Sequence, residues 1–215
     1  GENATQEDIE YVRKHYGFDR PLFVQYMEWA TSVLQGDLGA SVYLKEMPVA
    51  DIIKVRAPVT MTLGVCALSF ALLLAIPLGV LAAMYPNTII DRVALTIAVL
   101  GQAMPSFWFG LILIVVFAIQ LGWLPPSGTE TWRHFILPTV VLGYYAMPAI
   151  MRLTRAGMLD VLNSDYIRTA RAKGANERRV LFRHALRNAI IPVVSLAAVQ
   201  MGFMLGGSIV VESIF

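Results

Sequence analysis

Four stretches of the 215-residue chain contain no Asp, Glu, Lys or Arg: 57–90, 93–129, 134–151 and 188–211. Crossing a bilayer takes about 20 mostly apolar residues. The pattern therefore predicts membrane helices near 59–84, 94–121, 135–155 and 190–211. Turn signals separate them, "YPNT" at 85–88 and "GWLPPSG" at 122–128. The third is the least uniform, with two prolines and two tyrosines. Residues 1–58 are polar by comparison. Thr5 with Asp8 reads as a capping box for a short helix ending near Gly17. A second helix fits 20–35, with Pro21 in its first turn and Gly36 as its stop, and a third fits 48–56. The expected fold is an all-α membrane protein, a polytopic helical bundle of four spans over 59–215, with an external helical segment over 1–58.

Composition agrees with this pattern. Hydrophobic residues make up 57% of the chain and charged residues 15%, with a mean hydropathy of +0.62. Soluble domains carry about 25% charged residues, which argues against a water-soluble enzyme. The net charge of +2 hides a strong asymmetry. Residues 1–58 hold 6 bases and 9 acids, 59–151 hold 2 of each, and 152–215 hold 9 bases and 4 acids. Basic loops stay on the cytoplasmic side. The Arg-rich loop, about 156–189, is thus expected to face the cytoplasm. Helix alternation then puts 85–92 inside, and 122–134 and both chain ends outside. Placing 1–58 outside calls for an export element, so a further span or signal is expected ahead of the first residue.

Small residues predict how the helices pack. Ala67, Ala71, Ala75, Gly79 and Ala83 recur at every fourth position and form one ridge; Gly202 and Gly206 make a GxxxG step. Such ridges allow close helix contact in lipid. Pro77, Pro105 and Pro148 fall inside spans, where each removes a backbone donor and bends its helix. Cys66, the one cysteine, reads as a small buried hydrophobe, and no disulfide or cysteine metal site can form within the chain. Met104, Pro105, Phe107 and Trp108 lie at a predicted kink and are candidates to line a pathway, with plain packing as the simpler reading. Glu212 is expected at the external interface, with a pathway role as the alternative.

The loop itself is strongly punctuated. Ser164 or Asp165 can cap a short helix over 166–172, which Lys173 and Gly174 end. Asn176 can cap a second helix that carries Val180, Leu181, Ala185 and Leu186 toward the last span. The simplest alternative is a basic loop resting on anionic lipid.

The segment "DYIRTARAKGANERRVLFRHALRNAIIP" resembles the EAA loop of ABC importer permeases. "GDLGASV", "PVADII", "MPSFWFGLIL", "LGWLPPSG", "HFILPT" and "GGSIVVESIF" follow the same order as in the dipeptide/oligopeptide/nickel permease branch, and the long first segment is similar to the first of its two paired permeases. Essentially the whole chain is covered. The general motif carries Glu-Ala-Ala before its glycine. The matching residues here are Thr169, Ala170, Arg171, Ala172, Lys173 and Gly174, as in the peptide branch. The resemblance implies that residues 166–174 form a coupling helix seated in a groove of an ATPase subunit. Tyr166, Thr169, Ala170, Arg171, Lys173 and Gly174 are then the coupling residues, and one span is missing at each end of the chain.

Several chemistries have no motif. A P-loop, HExxH, GxSxG or metal-spaced Cys/His cluster does not occur, and His15, His134 and His184 lie in separate segments. The expected function is a non-enzymatic permease subunit of an ATP-driven importer for dipeptides, oligopeptides, a nickel chelate or a related solute. It forms half of the translocation pathway in a bacterial-type inner membrane. Its implied partners are a second permease, two ATPase subunits that hold ATP and Mg, an external substrate-binding protein and membrane lipid. Catalytic residues, a metal, a cofactor of its own and nucleic-acid binding are not expected. Two rivals remain: a secondary transporter, which would carry acids within its spans, and a non-transporting scaffold with a lipid-binding basic loop.

Overall fold

The computed structural model describes residues 10, 13–14, 17–41, 44 and 47–215. The Thr5–Asp8 capping box and His15 lie outside these residues. The chain divides into two compact units, 1–58 and 59–215. Among the described residues the regular structure is helical, with one isolated antiparallel bridge, Ala40 to Pro48.

In the first unit, α1 (Leu22–Leu34) starts behind Pro21. Proline suits this place, because the amide it lacks would have no intrahelical partner. Gly36, at φ +86°, ends the helix, and Asp37 N–H closes the turn by donating to Ser32 O at 2.9 Å. Gly17 likewise takes φ +68°.

The second unit is a bundle. α2 is one helix, Val49–Met84, so the separate short helix expected over 48–56 does not form. After the turn at Asn87 (φ +63°) come α3 (Ile89–Ala103) and α4 (Ser106–Leu113), the latter continued by a π-helical turn, Ile114–Gln120. α5 (Ile136–Leu162) holds Pro148 inside it. α6 (Asp165–Ala172) and α7 (Glu177–Ala189) form the predicted helical pair of the loop, and α8 (Ile191–Ile214) closes the chain. Among the described residues two helical stretches are individually long and apolar enough to cross a membrane, Val49–Met84 and Trp132–Leu162; Glu177–Ala189 and Ile191–Gly206 pass the same test only when taken together, across a bend of 50°.

The second predicted span, 94–121, is broken rather than kinked. Met104 and Pro105 are both extended, at ψ 132° and 134°, and part α3 from α4. Proline disfavours the helical region for the residue before it. Here the chain follows that preference fully.

The small-residue ridge packs as its spacing implies. Ala67, Ala71 and Ala75 are 0% exposed. A Cβ built on Gly143 of α5 would lie 2.6 Å from Ala67 O, so α2 and α5 touch backbone to backbone. Among the described residues nothing lies within 4 Å of a Cβ at Gly202 or Gly206, so the GxxxG step is left open. Cys66 also departs from expectation, being exposed on α2. A membrane helix is apolar on its outer face too, so hydrophobicity alone does not predict burial there.

Candidate functional site

The loop after α5 is held by its own core. Ile167 of α6 and Val180 and Ala185 of α7 are 0% exposed and pack with Met158 of α5 and with Val80 and Ala83 of α2. One apolar anchor thus docks α6, while its other faces remain polar.

Local chemistry shapes the hairpin. Asn176 Oδ1 accepts from Arg179 N–H at 2.8 Å, the predicted cap. Replacing Asn176 with alanine is expected to cost about 1 kcal/mol of local stability, read as faster hydrogen exchange at residues 177–180. Ser164 takes the extended N-cap conformation, but its hydroxyl donates backward to Val161 O at 2.5 Å, and Asp165 pairs with Arg168 at 3.2 Å. Neither side chain caps α6, because the preceding turn and a neighbouring guanidinium claim them. Gly174, at φ +79°, makes the turn. Arg171 donates to both oxygens of Glu177, at 2.8 and 3.2 Å, and bolts α6 to the start of α7. That hydrogen bond, with the guanidinium charge behind it, holds the Glu177 carboxyl below its ordinary range despite some desolvation. The pair is therefore present at neutral pH and is lost only as pH falls through that lowered value.

The six predicted coupling residues are thus gathered on one hairpin. Tyr166, Thr169, Ala170, Lys173 and Gly174 line a cavity of about 370 Å³ together with Arg179 and His184. Arg171 lies beside it, engaged with Glu177. Tyr166 is 42% exposed, but its hydroxyl is tied to α7: it accepts from Asn188 Nδ2 at 2.8 Å and donates to His184 O at 3.3 Å. It ties the hairpin to the end of α7, just before the 50° bend into α8. Asn188 had no signal in the sequence, because its partner lies 22 residues away on another helix.

A second cavity, about 530 Å³, sits in the bundle. Its polar lining is Gln102, Ser106, Tyr145 and Gln200, set among Val141, Leu142, Ala146, Ala149, Phe203, Met204 and Val211. Of the pathway candidates, Met104, Pro105, Phe107 and Trp108 do not line it. Phe107 and Trp108 are 51% and 47% exposed, and Trp108 borders a shallower apolar cavity of about 210 Å³. Gln102 and Ser106, which flank the break at Met104–Pro105, line the main cavity instead.

Asp91 and Arg155 were also not foreseen. The carboxylate, 4% exposed, accepts Arg155 Nε at 2.6 Å and Nη2 at 2.7 Å, and also Asn87 N–H at 2.9 Å. This fork fastens the start of α3 to α5. No group of three or more His, Cys, Asp or Glu side chains suited to a metal occurs among the described residues.

The family model of the binding-protein-dependent transport system inner membrane component matches residues 75–215. The chain belongs to that family. It is 45% identical over its full length to the glutathione transport system permease protein GsiC of Pectobacterium atrosepticum and 44% identical to that of Escherichia coli strain K12, covering 70% of each relative. It is an ABC importer permease of the peptide/nickel type and a multi-pass inner-membrane protein. Membership of this family implies a substrate-binding protein, a second permease and ATPase partners.

Proposed function

We propose that this permease forms one wall of a translocation pathway for small peptides or peptide-like solutes, driven by ATPase subunits through the α6–α7 hairpin. The observation that carries this reading is the hairpin's construction. It is docked by a small apolar core, stiffened by Arg171–Glu177 and tied by Tyr166 to the bend before α8, a helix that lines the main cavity with Gln200, Phe203 and Met204. A push on α6 therefore has a bonded route to the cavity wall. Each state is favoured only as far as its partners bind it better than the other. In this reading the hairpin is cytoplasmic, residues 1–58 are external, the second permease is a different chain, and ATP with Mg is held by two ATPase subunits. Relatives named for glutathione transport favour a tripeptide-sized solute, and a cavity of about 530 Å³ is in the range of small-ligand sites, about 300–1,000 Å³.

The test fills or recharges the hairpin cavity without touching its core. Ala170→Trp and Lys173→Glu are expected to leave the permease in the membrane with its permease partner, but to lower substrate-stimulated ATP hydrolysis of the reconstituted complex about tenfold or more, the size of an interface hot spot. Assembled variants that hydrolyse ATP and transport normally would overturn the coupling reading.

A further inference from the structure

Arg152 continues the cavity-lining face of α5. Tyr145, Ala149 and Arg152 stand at i, i+4 and i+7, which places them in one row along the helix. Arg152 Nη2 donates to Oε1 of Gln102, a cavity-lining residue of α3, at 3.2 Å. Arg152 is exposed and does not itself line the cavity, but its guanidinium is held by a neutral amide that does, with most of its five donors uncommitted. No carboxylate pairs with it among the described residues. Three acids of the same unit are paired with other bases: Asp91 with Arg155, Asp165 with Arg168 and Glu177 with Arg171. The cavity lining contains no acidic residue, only two amides and two hydroxyls among its polar groups.

We infer that Arg152, oriented by Gln102, is a binding site for the carboxylate of the transported solute, and that this permease selects small anionic, carboxylate-bearing peptide-like substrates. The chemistry fits in both directions. A guanidinium matches a carboxylate with two parallel hydrogen bonds. The amides of Gln102 and Gln200 and the hydroxyls of Ser106 and Tyr145 suit peptide groups, and no acidic residue lines the cavity to pair with a cationic substrate. The same anionic oxygen chemistry is offered by a lipid phosphate, and the experiment separates the two. The inference rests on the proposed pathway reading.

The complete complex, in proteoliposomes with its binding protein, is given a small peptide with a free C-terminal carboxylate and the same peptide as its C-terminal amide. Arg152→Gln is expected to lower uptake of the free acid about tenfold and to leave uptake of the amide within about twofold. Arg152→Lys, which keeps the charge but not the fork, is expected to fall between, and it carries the same test should Arg152→Gln not assemble. Equal loss for both peptides, no loss for either, or a loss seen only in vesicles containing anionic lipid would overturn the inference, the last by assigning Arg152 to a headgroup. Ala149→Trp tests the pathway separately. It is expected to block both peptides, and normal transport through it would sink the pathway reading whatever Arg152 does.

Discussion

Gly79→Val is expected to be the most damaging single substitution in the bundle. A Cβ at this position would lie 2.7 Å from Thr154 Cβ and 2.8 Å from Met151 O. Both are fixed: Thr154 is 0% exposed, its hydroxyl donates to Ile150 O at 2.8 Å, and Met151 O is backbone. The atoms cannot yield, so α2 and α5 must separate, and the packing of Ala75 and Ala83 on either side is lost with them. Overpacking a tight core costs about 1–3 kcal/mol and more when backbone must shift. The expected loss is at the upper end, about 3 kcal/mol or more, read as a drop of about 6–12 °C in the apparent Tm of the solubilised protein. Gly202→Ala is the control, because open space surrounds that position, and it is expected to leave Tm within about 1 °C. Similar Tm values for the two variants would refute the backbone contact between α2 and α5.

This ridge was legible because its cause is local. A small residue at every fourth position can face only one way on a helix. The same holds for the α6–α7 hairpin, where Gly174 and Asn176 announce a stop and a cap through their own backbone preferences. Other features depend on distance. Arg152 and Gln102 are 50 residues apart, and Asp91 and Arg155 are 64 apart, so neither pairing leaves a spacing in the sequence. Cys66 defeated the burial expectation because in a membrane protein both the packed and the outward faces of a helix are apolar. The broken span is a subtler failure. A proline in a long apolar run is compatible with a kink or a full break, and the sequence pattern alone does not choose between them. Met104, Pro105, Phe107 and Trp108 stand at this break without lining the main cavity, which Gln102 and Ser106 on either side of the break do.

Removing Arg155 is expected to be worse than removing its partner. The two side chains differ in access to solvent, with Asp91 4% and Arg155 23% exposed. Arg155→Met strands a buried carboxylate whose one remaining bond is from Asn87 N–H at 2.9 Å. Stranding a charge in this way costs about 3–5 kcal/mol. Asp91→Leu leaves a guanidinium on a long stem that can bend toward water or headgroups, and its expected cost is smaller, about 1–3 kcal/mol. The double variant, Asp91→Leu with Arg155→Met, strands nothing and fills the same space with apolar groups. It is expected to recover most of the stability lost in Arg155→Met, because replacing a buried pair with well-packed hydrophobic residues is often neutral. Thermal unfolding of the three solubilised variants measures the cycle, and additive losses would show that the pair is not coupled. Transport separates a further role. The pair fastens α3 to α5 near the hairpin, and Gln102 at the other end of α3 reaches the cavity. If the fork only stabilises the bundle, the double variant transports at the rate of the unsubstituted complex. If it also sets the position of α3 during the transport cycle, the double variant stays folded but loses uptake, and the loss appears equally for a peptide acid and its amide because Arg152 and Gln102 are unchanged.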